Sequence, residues 1–91
     1  MPRENYNDLI AFITVAGERS FTRAAAQLGV SPSALSHTIR AFETRLGVRL
    51  LTRTTRSVSP TAAGEHLMHT VAPQFKEIES EVSNIRELRD K

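Results

Sequence analysis

Apolar residues recur every three or four positions along most of the chain, which is the spacing of one face of an α-helix. The first such segment covers residues 9–16, and we expect its helix to begin after an N-cap at Asn5 and to end at Gly17. A second segment follows an N-cap at Ser20 and ends at Gly29, where glycine can adopt the left-handed conformation of a helix C-cap. The pattern therefore predicts two short helices joined by a tight connection.

A third helix is expected between Ser31 and Gly47, with Ser31 as its N-cap and Pro32 at its first position, where a proline needs no N–H. The small side chain of Ala25 lets the second and third helices approach, and Gly29 makes the turn between them. Its apolar stripe has four members: Leu35, Ile39, Phe42 and Leu46. This spacing indicates a helix-turn-helix, although an ordinary helical hairpin would share much of it.

The opposite face of the third helix carries short hydroxyls, an imidazole and a guanidinium, and it has no carboxylate. Its members recur at helical spacing: Ser33, Ser36, His37 and Arg40. A face of this chemistry can enter a groove that is lined with hydrogen-bond acceptors and phosphates. We therefore expect the third helix to be a recognition helix for nucleic acid.

The periodicity changes after Gly47. Residues 48–53 and 57–59 have the pattern of two short strands, joined at residues 54–56. Arg53 and Arg56 would lie at the tip of this hairpin, and guanidinium groups suit the negative potential of a narrow minor groove. The pattern predicts the wing of a winged helix-turn-helix, and the alternative is a solvated basic hairpin.

From Thr61 onward the spacing predicts one long helix with an apolar seam. The seam has seven members: Leu67, Val71, Phe75, Ile78, Val82, Ile85 and Leu88. A small core cannot cover a seam of this length, so we expect a second copy of the helix to pack on it in a homodimer. Because Pro73 removes one backbone hydrogen bond, we also expect a kink or break near residues 68–72. The chain thus divides into a mainly α winged helix-turn-helix domain at 1–60 and a linker helix at 61–91.

Composition narrows the classes of protein. The 91 residues have a net charge of +2 and no cysteine, which excludes a disulfide scaffold and a thiolate metal site. No apolar run approaches the roughly 20 residues of a membrane span, and the polar N-terminus is not a secretion signal, so we expect a cytoplasmic protein. Residues 19–60 hold seven arginines against one acid, Glu43. Arginine favours recognition of phosphate and of base edges, although a solvated basic face is the alternative.

Enzymatic chemistry is not expected. Glu65, His66 and His69 could contribute to a metal site, but zinc needs three or four ligands and no further cluster is present. Ser36 and His37 are adjacent on a helix and so point about 100° apart, which prevents a catalytic pair. The chain has no glycine-rich phosphate loop. We expect no cofactor and no metal.

Three stretches resemble the LysR-type transcriptional regulators: SFTRAAAQLGVSPSALSHTIR at 20–40, FE with LGVRLLTRTTR at 42–56, and TAAG at 61–64. The resemblance covers essentially the whole chain. It implies a winged helix-turn-helix domain that dimerises through antiparallel linker helices and binds interrupted inverted repeats near promoters. It also implies a large effector-binding domain, absent from these 91 residues, through which a small molecule would act.

The resemblance also assigns DNA-contacting positions. Pro32 stands where many members have glutamine, and His37 where many have arginine, so His37 would offer guanine one hydrogen bond rather than two. Arg56 matches the minor-groove arginine of the wing. The second helix's N-terminus, whose free N–H groups favour anions, matches phosphate-contacting positions. The expected DNA-binding residues are Ser20, Thr22, Arg23, Ser31, Pro32, Ser33, Ser36, His37, Arg40, Arg53 and Arg56.

A second class of function fits the same charges. In a protein-interaction module, the basic face would bind an acidic partner and the long helix would form a coiled-coil contact. The two hypotheses differ in salt dependence, because binding to several phosphates gives a steep dependence on salt concentration.

Overall fold

The computed structural model describes residues 6–55 and 57–90. Three helices are followed by an antiparallel hairpin and a long helix, which confirms the winged helix-turn-helix fold class. The elements are α1 (Tyr6–Glu18), α2 (Phe21–Leu28), α3 (Pro32–Leu46), β1 (Leu51–Arg53), β2 (Val58–Pro60) and α4 (Ala62–Arg89).

Local capping interactions set the ends of α2 and α3. Ser20 and Ser31 are extended N-caps, and each hydroxyl accepts a hydrogen bond of 3.1 Å from the backbone N–H three residues later. Gly29 and Gly47 end the two helices in the left-handed conformation, at φ of 72° and 75°. All four boundaries were predicted from the sequence and are confirmed.

The end of α1 differs from the prediction. Gly17 lies inside the helix, which continues to Glu18, and the chain reverses at Arg19 with φ of 54°. The Arg19 N–H donates to the Val15 carbonyl at 2.8 Å. Because the next residue, Ser20, must be extended to cap α2, the left-handed turn falls on Arg19 although it is not a glycine. The expected N-cap at Asn5 lies outside the described residues.

The hydrophobic core lies between the first three helices and the base of the hairpin. Its members are Ala11, Phe12, Val15, Ala16, Ala24, Ala25, Leu35, Ile39, Phe42, Leu50, Leu51 and Val58. Three of the four stripe residues predicted on α3 are among them, but Leu46 is 40% exposed. Leu46 belongs to the last turn of α3, which extends beyond the core.

The hairpin and the start of α4 form one unit. In the hairpin, Leu51 pairs with Pro60 and Arg53 with Val58. Thr61 N-caps α4 with its hydroxyl and also holds the residues before β1, since its N–H donates to the Leu50 carbonyl at 2.9 Å. The first strand is shorter than predicted because residues 48–50 are not paired with a neighbouring strand, and the second has the predicted length but lies one residue later.

The α4 helix is continuous over 28 residues, so the predicted break near residues 68–72 is wrong. Pro73 removes only one backbone hydrogen bond, and it is exposed. Leu67 and Met68 pack against the core in the turns before it, and the helix continues on both sides. Within residues 6–55 and 57–90, no helix is long and apolar enough to cross a membrane.

Candidate nucleic-acid interface

The two faces of α3 differ sharply in burial. Leu35, Ile39 and Phe42 are at most 2% exposed and anchor the helix to the core. Ser33 and His37 point to solvent on the other face, together with Arg40. The helix therefore presents hydroxyl, imidazole and guanidinium groups outward from a rigid support.

Ser36 has a partner within the chain. It is half-buried, and its hydroxyl accepts a hydrogen bond of 2.6 Å from Nη1 of Arg53 on β1. The Arg53 guanidinium also lies over the ring of Phe21, 4.4 Å from its centroid. One side chain of the wing thus contacts both helices of the helix-turn-helix.

This geometry changes the interpretation of Arg53. Its side chain folds back from the hairpin, and its Nη2 is buried without a hydrogen-bond partner among the described residues. Burial, with the charge of Arg40 adding to it, lowers the pKa of Arg53 from its ordinary value, although an arginine remains charged. In the free protein, Arg53 joins the wing to α3.

A second polar surface lies between the N-terminus of α2 and the hairpin. An open groove there is lined by hydroxyl and guanidinium groups from Arg19, Ser20, Thr22, Arg23, Arg53, Thr54, Thr55 and Ser57, with Phe21 and Val58. Arg23 donates to the Glu18 carbonyl at 3.0 Å and lies 3.5 Å from its carboxylate, which leaves the charge partly compensated. The groove joins three of the expected phosphate contacts, Ser20, Thr22 and Arg23, to the wing.

Several expected contacts have structural roles as well. The Ser20 and Ser31 hydroxyls accept the capping hydrogen bonds of α2 and α3. Pro32 is exposed at the first position of α3, beside Ser33. Arg56 lies outside the described residues.

The expected dimer seam on α4 changes character along the helix. Leu67 packs against the core, and Val71 and Phe75 are half-buried. Beyond them the seam is open in the single chain. Its exposed members are Ile78 (57%), Val82 (45%), Ile85 (57%) and Leu88 (66%).

Glu43 is a functional candidate that the sequence analysis treated only as a charge. Its side chain is buried, and Oε2 accepts hydrogen bonds from the backbone N–H groups of Leu50 at 2.8 Å and Leu51 at 3.1 Å. It therefore fixes the start of β1 against α3. A signal was present, because Glu43 follows Ile39 by four residues and so shares the apolar face of the helix.

The pair of Asp8 and Arg45 was also missed. Asp8 is 8% exposed, and its carboxylate forms an ion pair with the guanidinium of Arg45, joining α1 to the last turn of α3. Arg45 also lies over the Phe42 ring, 5.7 Å from its centroid. The two partners are 37 residues apart, and neither local spacing nor charge pattern connects them.

Within residues 6–55 and 57–90, no three histidine, cysteine or acidic side chains come together in a group that could hold a metal ion. His66 and His69 are both exposed on α4.

The fold is similar to that of a solved protein–DNA complex. The BenM_DBD/catB site 1 DNA complex matches 97% of this chain and 98% of its own, with a TM-score of 0.81 and 28% sequence identity. The similarity extends over the helices, the hairpin and the long helix together.

Comparisons with relatives and with a family model assign the chain to a protein family. A putative transcriptional regulator of Pseudomonas aeruginosa is 59% identical over all 91 residues, and the HTH-type transcriptional regulator PgrR of Escherichia coli strain K12 is 54% identical over the same length. The chain spans about 30% of the length of each. Neither name describes an enzyme. The model of the lysR family of bacterial regulatory helix-turn-helix proteins matches residues 6–65, and this chain belongs to that family.

Proposed function

We propose that this chain is the sequence-specific DNA-binding domain of a bacterial transcriptional regulator. The observation that carries the proposal is the two-sided α3. Leu35, Ile39 and Phe42 are buried on one face, and the other face has no carboxylate and exposes Ser33, His37 and Arg40 to solvent. Such a helix can enter a major groove and form hydrogen bonds with base edges. The solved relative with bound DNA supports the same use of this fold.

Base reading is assigned to the N-terminal half of α3. Ser33 and His37 are exposed and can form hydrogen bonds with base edges, and Pro32 can pack against a thymine methyl group. Ser36 accepts a hydrogen bond from Arg53, and its hydroxyl hydrogen remains available to donate to an acceptor on a base edge. The N-terminus of α2, with Ser20, binds phosphate through its free N–H groups and positions α3.

The experiment that tests the proposal is selection of bound oligonucleotides from a random pool at physiological salt. We expect an enriched inverted repeat with an interrupted centre, because two copies of α3 related by a two-fold axis read two half-sites. A fall of affinity with salt, with a log-log slope of about −0.9 per phosphate contact, should accompany it. A slope near zero on duplex DNA would instead favour a module that binds an acidic protein.

Replacing Arg56 with alanine should weaken operator binding by roughly 1 to 3 kcal/mol, with the greatest loss on sites that are A·T-rich beside the major-groove contact. The reason is that a narrow minor groove concentrates negative potential, which a guanidinium at the wing tip would neutralise. Fluorescence anisotropy with labelled duplexes measures the loss, and Arg86→Ala on α4 is the control for the removed charge. Equal affinity of Arg56→Ala and the parent would exclude the wing tip from the mechanism.

We further propose that two copies of the chain pair through α4. The four exposed seam residues lie along about three turns of helix, and they continue from the half-buried Phe75. A second copy of the same seam can cover them, as in other helix pairs with an apolar stripe.

Replacing either Ile78 or Val82 with aspartate should shift the protein from dimer to monomer, because the dimer would bury an uncompensated charge. Sedimentation velocity over a range of concentrations measures the shift. Ser83→Asp adds the same charge at an exposed position that lies about 100° or more around the helix from each of the four exposed seam residues, and it should leave the dimer intact. An unchanged dimer in both seam variants would reject this seam as the interface.

The resemblance to the LysR-type regulators further suggests a small-molecule effector and a cellular compartment. A small-molecule effector would act through a domain outside these 91 residues, and no cofactor is assigned to the chain itself. A regulator of this kind would act in the cytoplasm, where bacterial DNA is located.

A further inference from the structure

Three arginines line an open groove at the C-terminal end of α3. Two of them, Arg40 and Arg53, come from α3 and the wing, and Arg49 comes from the segment that joins them. Glu43, Thr44, Gly47 and Val48 complete the lining, and five of the seven lining residues are exposed. An open groove of this kind suits an extended chain of charges better than an enclosed small molecule.

The groove has three cations and one acid, Glu43, and so a net positive charge. Within residues 6–55 and 57–90, neither Arg40 nor Arg49 forms an ion pair. The carboxylate of Glu43 is buried and accepts hydrogen bonds from the backbone N–H groups of Leu50 and Leu51. Burial and then the charge of Arg40 lower the pKa of Arg53, the carboxylate of Glu43 acts in the opposite direction, and Arg49 lowers it further, so the three cations and this one acid act on one region.

If α3 binds in the major groove as proposed, the protein groove that is lined by Arg40 lies beside the sugar–phosphate backbone of the DNA. Arg40 follows Ser33 by seven residues on the same face, which places it roughly 10 Å further along the helix axis. The major groove is about 12 Å wide, so a helix that reads bases with its first turns brings a residue at this distance near the groove's edge. The sugar–phosphate backbone forms that edge.

We propose that the groove between Arg40 and Arg49 is a phosphate site for the backbone of the bound DNA, with Arg49 as a contact that the recognition face of α3 does not include. This inference rests on the proposed function, because it requires the polar face of α3 to occupy the major groove. Arg49 and Arg40 both line the groove and are exposed, so both can donate to a phosphate bound there. The contact adds affinity and fixes orientation, and it carries no base preference.

The test compares Arg49→Ala, Arg49→Lys and Arg86→Ala with the parent 91-residue chain. Anisotropy titrations of one selected duplex and one scrambled duplex, at several salt concentrations, give the affinity and its slope against salt. Arg49→Ala should weaken both duplexes by the same factor and reduce the magnitude of the log-log slope by about 0.9 for each bound protomer. Arg49→Lys retains the charge and should keep the parent's slope, and Arg86→Ala removes a charge on α4 and should have no effect.

Each other result overturns the inference. If the slope of Arg49→Ala equals that of the parent, Arg49 does not contact a phosphate, and the proposed function is unaffected. A loss confined to the selected duplex would mean that Arg49 reads bases. If the parent itself binds neither duplex, the proposed function fails and the inference fails with it. Thermal unfolding followed by circular dichroism checks the fold of Arg49→Ala, which should match the parent because the side chain is exposed.

Discussion

Replacing Gly64 with alanine is expected to lower the free energy of unfolding by about 1 to 3 kcal/mol, even though alanine favours a helix by up to about 1 kcal/mol over glycine. Gly64 lies in the first turn of α4, and a Cβ there would overlap the carbonyl oxygen of Leu50 and lie 3.2 Å from the Cβ of Pro60. The obstacle on the Leu50 side is backbone, which cannot move aside as a flexible side chain can. Urea unfolding of the parent and the variant measures the difference.

Gly17→Ala is the matched control, since Gly17 also lies inside a helix and a Cβ there would meet no atom within 4 Å. This variant should gain stability by about 0.5 to 1 kcal/mol from helix propensity. If Gly64→Ala were instead stabilised like Gly17→Ala, the close contact of α4 with the start of β1 would be wrong.

The contact at Gly64 also has a consequence for assembly. The Thr61 N–H donates to Leu50, and the Thr61 hydroxyl donates to the Arg49 carbonyl at 2.7 Å, so the first turn of α4 is held directly against the hairpin base. The direction of α4 then sets where its exposed seam points. Since the seam is the proposed dimer surface, the glycine helps to determine how two recognition helices are spaced on DNA.

The helix boundaries around the turn could be predicted because the signals are local. Ser20 and Ser31 cap through bonds to residues three positions later, and Gly29 and Gly47 supply the left-handed ends. The two faces of α3 were likewise predictable from periodicity, because the helix has an apolar core on one side and solvent on the other.

The remaining features depend on contacts between distant parts of the chain. Arg53 was expected at the wing tip, but its guanidinium bonds to Ser36, 17 residues away, and packs on Phe21. Asp8 and Arg45 are paired across 37 residues. A kink or break was expected near residues 68–72, and the break is absent because the loss of one hydrogen bond at Pro73 costs less than the turns on either side contribute. Periodicity carries no information about such tertiary contacts.

Glu43 provides the second large prediction. Replacing it with alanine should lower the free energy of unfolding by about 2 to 4 kcal/mol, because two buried backbone N–H groups, those of Leu50 and Leu51, would lose their acceptor. Leu50 and Leu51 are 2% and 1% exposed, so water has little access to replace the carboxylate. Urea unfolding measures the loss.

Glu43→Gln separates the hydrogen bonds from the charge. The amide oxygen can still accept from both N–H groups, but a neutral acceptor forms weaker bonds, so we expect a loss of about 1 kcal/mol. If the alanine and glutamine variants lose the same free energy of unfolding, the charge of Glu43 is required and a neutral acceptor in the same place cannot replace it. The expected order, with glutamine between the parent and alanine, means that the carboxylate holds β1 against α3. The wing would then keep a fixed position beside the recognition helix before DNA is bound, which reduces the ordering cost of binding.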